Sequence, residues 1–248
     1  MEEPDNGIRD ELESGEERLG SEGAGGGFVA SLGDIFVDPM KVFERINNGL
    51  AWWKAYIVLA AVGMLLSWLA MPFQRHLVEL QIQGANSEKV AGALENFDKF
   101  KYIGVFASPV SVLLLLVVMA ALVHLVISVL STNADFKKTL SLISYAGLIS
   151  VLGQAIKTVV LLSRGVESVS TRADMNVHLS LAAFLPELKG FKYALVESLG
   201  IFEIWYYVVL AIGISYVFRI KKETSWIPVL IIWLISLLFL ALGAKFAQ

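Results

Sequence analysis

Residues 103–130 read IGVFASPVSVLLLLVVMAALVHLVISVL, a run of 28 residues with no acidic side chain, lysine or arginine. An α-helix needs about 20 apolar residues to cross a hydrocarbon core of roughly 30 Å, so this run can span a bilayer. Backbone N–H and C=O groups in lipid must be bonded within the segment, which predicts a helix. The chain is therefore expected to be an integral membrane protein.

Further apolar runs flank this one, in a chain of 248 residues with 56% hydrophobic content and a mean hydropathy of +0.66. Aromatic side chains stand at several of their starts, as in the aromatic belts of membrane proteins. The predicted fold class is all-α, a polytopic helical bundle with five transmembrane helices and interfacial amphipathic helices. The predicted spans are residues 51–71, 103–130, 140–162, 202–218 and 226–246.

Residues 1–27 differ in composition from the rest of the chain. They carry nine acidic residues and two arginines and are rich in Gly and Ser, which leaves 14 acidic and 18 basic residues in the membrane body. Such a segment cannot bury enough apolar surface to offset its ordering entropy. It is predicted to be a disordered acidic tail, either a solubilising linker or a binder of a basic partner.

Residues 28–50 are predicted to form an amphipathic segment on the cytoplasmic side, ahead of the first span. Phe28, Leu32 and Phe36 recur at helical spacing, and a second helix is predicted to begin at Pro39 with Asp38 as its N-cap. Two interpretations stay open for these helices. They lie at the headgroup level and contact anionic lipid, or they pack on the surface of the protein.

Lysine and arginine in short connections predict the orientation. Lys137 and Lys138 join the second and third spans, and Arg219, Lys221 and Lys222 join the fourth and fifth. The positive-inside rule places both connections in the cytoplasm. The N-terminus is then cytoplasmic and the C-terminus outside, in the plasma (inner) membrane if the protein is bacterial.

Pro109 lies early in the second span and removes a backbone donor. Proline inside a helix commonly kinks or breaks it. A kink or an unwound turn is therefore expected around residues 107–111.

A stripe of polar and small residues follows the third span at intervals of three or four. It is predicted to face the interior of the bundle, as a substrate path or as a surface for close helix packing. The stripe consists of Ser144, Gly147, Ser150, Gln154 and Lys157.

Three ionisable side chains in the spans are candidate functional residues, because a charge at bilayer depth costs at least about 2.5–3.5 kcal/mol. Lys157 and Glu203 lie at similar predicted depths near the outer ends of their spans, so they are predicted to form an ion pair. His124 lies near the opposite end of its span and is interpreted as a hydrogen-bonded packing residue, with a proton relay as the alternative.

The sequence offers no signature of catalysis. It contains no cysteine, no His-Glu-x-x-His motif and no phosphate-binding glycine loop. No enzyme activity, catalytic residue, metal or cofactor is therefore predicted, and no nucleic-acid partner is expected.

Three stretches resemble the Yip family (Ypt-interacting proteins), particularly its bacterial members. They are SLGDIFVDPMKVFERI at 31–46, ADFKKTLSLISYAGL at 134–148 and LGIFEIWYYVVLAIG at 199–213. The likeness covers residues 31–246. In the first stretch the matching positions are Phe36, Pro39 and Phe43, which together with Asp38 form the candidate cytoplasmic interaction segment.

The resemblance implies a non-enzymatic, five-span membrane protein that acts as a scaffold or organises membranes, with lipid, other membrane proteins or a second copy as partners. Eukaryotic members carry a Gly-Tyr pair followed by proline in the third span, whereas here Ser144 precedes Tyr145 and no proline follows. Binding of a GTPase is therefore not carried over. The alternative function is a small transporter or channel component that uses the polar face of the third span.

Overall fold

A computed structural model describes residues 27–82, 87–185, 187–188 and 190–246. The predicted acidic tail, apart from Gly27, lies outside the described residues. Within them the regular elements are helices and no strand is present. The α-helices are α1 (Gly27–Val37), α2 (Pro39–Asn47), α3 (Trp52–Leu69), α4 (Met71–Gln81), α5 (Ser87–Leu130), α6 (Phe136–Arg164), α7 (Gly190–Glu197), α8 (Ile201–Phe218) and α9 (Trp226–Phe246). Short 3₁₀ helices lie between α6 and α7 at Val166–Ser168, Arg172–Met175 and Leu181–Phe184.

Four helical stretches are long and apolar enough to cross a membrane, which confirms the polytopic helical fold. They are Trp52–Leu80, Gly92–Leu130, Phe136–Arg164 and Ile201–Phe218. The fifth predicted span coincides with α9, in which Trp226–Leu242 forms a further apolar helix. The total of five spans therefore stays a prediction.

Helix α5 extends far beyond its predicted apolar span. Residues 95–101, ahead of that span, carry ion pairs at helical spacing, with Lys99 Nζ 2.7 Å from Glu95 Oε1 and Lys101 Nζ 2.9 Å from Asp98 Oδ1. Once a helix is nucleated, each added residue gains a backbone hydrogen bond, and such pairs support the extension. Hydropathy located the apolar part of this helix and missed its polar continuation.

Of the kink or unwound turn expected at Pro109, the unwound turn is wrong, since α5 is helical throughout residues 107–111. The kink stays a prediction. Two backbone carbonyl oxygens of this region accept hydrogen bonds from side-chain hydroxyl groups. The Ser111 hydroxyl donates to Ala107 O at 3.2 Å, and the Tyr56 hydroxyl donates to Pro109 O at 3.2 Å. Neither is the carbonyl of Val105, which loses its backbone N–H partner to Pro109, and the Tyr56 bond joins α3 to α5.

Helix α6 lies at the centre of the bundle and packs against α2, α3, α5 and α8. Its first half is buried almost continuously, with Leu142, Tyr145 and Ile149 all 0% exposed. A smaller apolar cluster joins α4 and α6 to the connection that follows α6. This cluster contains Phe73, Leu77, Leu161, Val169 and Val177.

Helices α1 and α2 form what we call the amino-terminal hairpin, residues 27–47, with Asp38 between them. Asp38 occupies the N-cap position before Pro39 as predicted, but its side chain makes no capping hydrogen bond and lies 3.2 Å from Lys41 Nζ. Arg45 reaches back from α2 to the Asp34 carboxylate at 2.6 Å. The hairpin is thus closed by an internal ion pair.

The hairpin packs on the protein, which supports the second of the two interpretations of this segment. Four of its apolar side chains are at most 1% exposed and belong to the main core. They are Ile35, Val42, Phe43 and Ile46. Along α8, Phe36 contacts Trp205 and Phe43 contacts Tyr216, so the hairpin follows about 16 Å of that helix.

We name the two ends of the bundle by their connections. At the basic end, the connections 131–135 and 219–225 meet, because the Ser131 hydroxyl donates to Phe218 O at 2.8 Å. The same end holds the start of α3, since the Ser141 hydroxyl donates to Leu50 O at 2.9 Å. The far end holds the connection between α6 and α8, residues 165–200.

Glycine at position 213 permits the hairpin to seat against α8. A Cβ atom added there would lie 2.9 Å from Phe43 Cε1 and would also clash with Leu142. We therefore expect Gly213→Ala to destabilise the protein by about 1–3 kcal/mol, the usual range for overpacking a core. The measurement is the midpoint of thermal unfolding in detergent.

Gly104→Ala is the matched control. Gly104 lies in α5, and no heavy atom lies within 4 Å of its added Cβ. This variant should unfold at or above the wild-type midpoint, because alanine has the higher helix propensity. Equal midpoints for Gly213→Ala and wild type would show that the close contact at Gly213 does not exist.

Candidate functional site

Lys157 and Glu203 form the ion pair predicted from their depths. Lys157 Nζ lies 3.3 Å from Glu203 Oε1, which joins α6 to α8 at the far end. A second carboxylate, that of Glu197, lies 3.9 Å from the same amine. Lys157 is therefore shared between two carboxylates.

The network extends into the connection between α6 and α8. Glu197 Oε2 lies 2.9 Å from His178 Nδ1 and accepts a 2.6 Å hydrogen bond from the Ser180 hydroxyl. The ring of Tyr193 stands edge-on to His178 at 5.7 Å. Burial, with the neighbouring Glu197 carboxylate, raises the pKa of Tyr193, so that side chain stays a neutral phenol. We call these six residues the far-end polar cluster: Lys157, His178, Ser180, Tyr193, Glu197 and Glu203.

Sequence reasoning found two members of this cluster and missed four. Lys157 and Glu203 are conspicuous because they lie in apolar runs. His178, Ser180, Tyr193 and Glu197 lie in a polar connection where such residues are ordinary, and their spacings match no known motif. Only the fold of residues 165–200 brings them to Lys157.

The far-end polar cluster is suited to holding helices together. Its side chains are mostly engaged with one another, and Glu203 Oε2 is the one atom of the cluster that is buried without a hydrogen-bond partner. Elsewhere among the described residues, Ser108 Oγ and Ser144 Oγ are buried without a partner as well. No group of three or more His, Cys, Asp or Glu side chains in the described part of the chain could hold a metal ion. The chemistry that the far-end polar cluster supports is the pairing of the Lys157 amine with two carboxylates.

The polar stripe of α6 does not face the interior along its whole length, so that expectation is wrong. Ser144 is buried, Gly147 lies against Leu59, and Ser150 and Gln154 are exposed on the outside of the bundle. The cause is geometric, since intervals of 3, 3, 4 and 3 residues average less than the helical repeat of 3.6. From Ser144 to Lys157 the stripe winds about 140° around the helix.

His124 lies at the basic end, away from the far-end polar cluster. Its Nδ1 atom is 3.4 Å from the Thr139 hydroxyl, and its ring stands edge-on to Phe136 at 5.5 Å. The Thr139 hydroxyl also donates to Asp135 O at 2.9 Å. These contacts fit the interpretation of His124 as a packing residue that joins α5 to the start of α6.

The candidate interaction segment is largely engaged within the protein. Phe43 is 0% exposed, so it belongs to the core and cannot offer its ring to a partner. Phe36 is half-buried, edge-on to Trp205 at 5.8 Å. Asp38 and Pro39 at the hairpin turn are also half-buried, and their role in binding stays a prediction.

The coupling between Lys157 and Glu203 can be measured with Lys157→Met, Glu203→Gln and the double variant. We expect a coupling energy of about 1 kcal/mol in thermal unfolding. This is below the 3–5 kcal/mol for breaking a fully buried pair, because the Glu203 side chain is 35% exposed and solvent screens it.

Lys99→Met is the control, because Lys99 pairs with Glu95 in an arrangement in which both side chains are at least 60% exposed. That variant should unfold at the wild-type midpoint. Additive effects of the two substitutions in the cycle would contradict the assignment of Lys157 and Glu203 as a stabilising pair.

Comparison with known proteins identifies the chain at the family level. Membrane protein YknW of Bacillus subtilis (strain 168) is 27% identical over 212 residues, which cover 84% of this chain and 87% of that protein. No solved structure matches the chain. The family model for the Yip1 domain matches residues 33–244, from the first helix of the hairpin to α9. The chain therefore belongs to the Yip1 domain family of membrane proteins.

Proposed function

We propose that this protein is a non-enzymatic membrane scaffold that binds another membrane protein, or a second copy of itself, through the exposed polar face of α6. The observation that carries the proposal is the exposure of Ser150 and Gln154 on the central helix of the bundle. Membership of the Yip1 domain family supports a membrane protein but gives no specific role.

The physical reason for expecting a partner is the free-energy cost of exposing the Gln154 side-chain amide to lipid. Gln154 lies within the candidate span Phe136–Arg164, and exposed apolar side chains such as Leu152 and Ile156 flank it. A polar group without a hydrogen-bond partner in hydrocarbon is unfavourable by several kcal/mol. A facing helix that supplies a partner removes that cost, and such bonds between helices are worth about 0.6 kcal/mol on average.

Transport is the rival function, and the course of the polar stripe argues against it. A pathway through one subunit needs polar groups that line a common interior surface. Here Ser144 is buried in the core while Ser150 and Gln154 face outward. Lys157, the charge at the end of the stripe, is held by two carboxylates.

We also propose that the basic end is cytoplasmic, with five spans, a cytoplasmic N-terminus and the C-terminus outside. What supports this is the meeting of the connections 131–135 and 219–225 at one end, next to the five basic residues 137, 138, 219, 221 and 222. Short cytoplasmic loops are enriched in lysine and arginine. In a bacterium the membrane would be the plasma membrane.

Photocrosslinking in cells tests the scaffold proposal. A photoreactive amino acid at Gln154 or Ser150 should yield discrete protein adducts, because these positions face the partner. The control is Val159, which is 63% exposed on the same helix. It should give lipid adducts only.

Adducts of equal intensity at Val159 and Gln154, or none at Gln154, would refute the proposed surface. Gln154→Leu should lower the yield from a probe at Ser150 by about threefold, the factor that corresponds to one average interhelical hydrogen bond. Solute or ion flux through reconstituted protein would instead support the transporter.

The absence of cysteine makes the orientation easy to test. Thr132→Cys and Glu167→Cys place single thiols at exposed positions on the basic end and near the far end, respectively. A membrane-impermeant maleimide should label Glu167→Cys in intact cells and Thr132→Cys only after permeabilisation. The reverse pattern would invert the proposed orientation.

A further inference from the structure

A cavity of about 330 Å³ lies at the basic end, between the amino-terminal hairpin, α8 and the start of α9. Its volume is at the lower end of the range for ligand pockets, roughly 300–1,000 Å³. The side chains that matter here are Met40, Ala211, Ile212, Tyr216, Lys222 and Trp226.

The cavity has an apolar part and a polar part, separated along α8. Met40, Ala211 and Ile212 form the apolar part, and Lys222 lies in the connection after α8. Ala211 precedes the last residue of α8 by seven positions, or about 10 Å. The cavity therefore extends from the connecting loop to a depth where acyl chains would lie.

The polar part favours an anion. Lys222 is exposed, and no carboxylate among the described residues lies within 4.0 Å of its amine. The basic residues Arg219 and Lys221 are close in sequence, with Glu223 as the only acidic neighbour between positions 219 and 225. The Tyr216 hydroxyl makes no hydrogen bond within the described part of the chain and is a second donor.

We propose that this cavity binds one anionic phospholipid of the adjoining leaflet. Its phosphate contacts Lys222 and Tyr216, and the first part of one acyl chain lies along Met40, Ala211 and Ile212. The volume accommodates this part of the lipid, and the remainder stays in the bilayer. Trp226 lies beside the phosphate, at the headgroup depth that tryptophan prefers.

Two serine hydroxyl groups near the cavity are not expected to donate to the lipid phosphate. The Ser215 hydroxyl donates to Ile220 O at 2.7 Å, and the Ser225 hydroxyl donates to Lys222 O at 2.8 Å. Both hydroxyl protons are thus used to hold the connection between α8 and α9. These bonds fix the loop that carries Lys222.

Native mass spectrometry of the full chain tests the proposal. The protein is purified in detergent with equal amounts of phosphatidylglycerol and phosphatidylcholine that carry identical acyl chains. We expect one retained phosphatidylglycerol per chain. Lys222→Gln should lower the ratio of retained phosphatidylglycerol to phosphatidylcholine about fivefold, the factor that one basic residue contributes at an anionic membrane surface.

Lys221→Gln is the matched control, since it removes the same charge from the same loop but does not line the cavity. It should change the ratio less than twofold. Ile212→Trp fills the apolar part while keeping Lys222, and it should abolish retention of the lipid. Ile212 is 41% exposed, so this variant should remain folded, which its elution profile and unfolding midpoint verify.

Three outcomes would overturn the proposal. The first is equal retention of both lipids by the wild-type protein, which would show that the cavity has no preference for an anionic headgroup. The second is an equal drop in the ratio for Lys221→Gln and Lys222→Gln, which would show that the basic loop attracts the anionic lipid without a specific site. The third is retention of phosphatidylglycerol by folded Ile212→Trp at the wild-type level, which would show that the lipid binds outside this cavity.

Discussion

The close approach of α6 and α8 is the constraint on which the rest of the structure depends. In lipid no hydrophobic effect drives apolar helices together, so they associate through packing and through small residues that admit neighbouring side chains. A Cβ atom added at Gly153 of α6 would lie 2.9 Å from Phe202 of α8. One added at Gly213 of α8 would clash with Leu142 of α6 and would lie 2.9 Å from Phe43 of α2. Two glycines, one on each helix, thus make room for Phe202 and Leu142 of the facing helix, and Gly213 also makes room for the Phe43 ring.

This arrangement makes the amino-terminal hairpin part of the membrane domain. Phe43 occupies the space left by Gly213, and the Tyr145 hydroxyl of α6 donates to Ala51 O at 3.4 Å, where the chain enters α3. The segment before the first span and the centre of the bundle therefore share one core. The extent of the Yip1 domain match, which begins at residue 33 within the hairpin, agrees with this shared core.

The polar side chains divide into three groups with different physical roles. At the far end Lys157 ties α6 to α8 and to the preceding connection through two carboxylates. At the basic end hydroxyl groups hold the turns that carry the lysines and arginines. Between them Ser150 and Gln154 face outward from the central helix. A lipid at Lys222 and a partner at Gln154 would contact different surfaces, so the two proposals stand independently.

The sequence by itself determined the helical membrane fold, four helices long and apolar enough to cross a membrane, and the similar depths of Lys157 and Glu203 from which their ion pair is predicted. These follow from local composition, because hydropathy, helical rise and the cost of a charge in lipid depend on neighbours along the chain. Only the tertiary structure decided where Ser150 and Gln154 face, that Phe43 is buried and that Glu197 and His178 join Lys157. Those outcomes depend on which helices pack against α6 and on how residues 165–200 fold back, and contacts between residues far apart in sequence leave no periodic signal in a single chain.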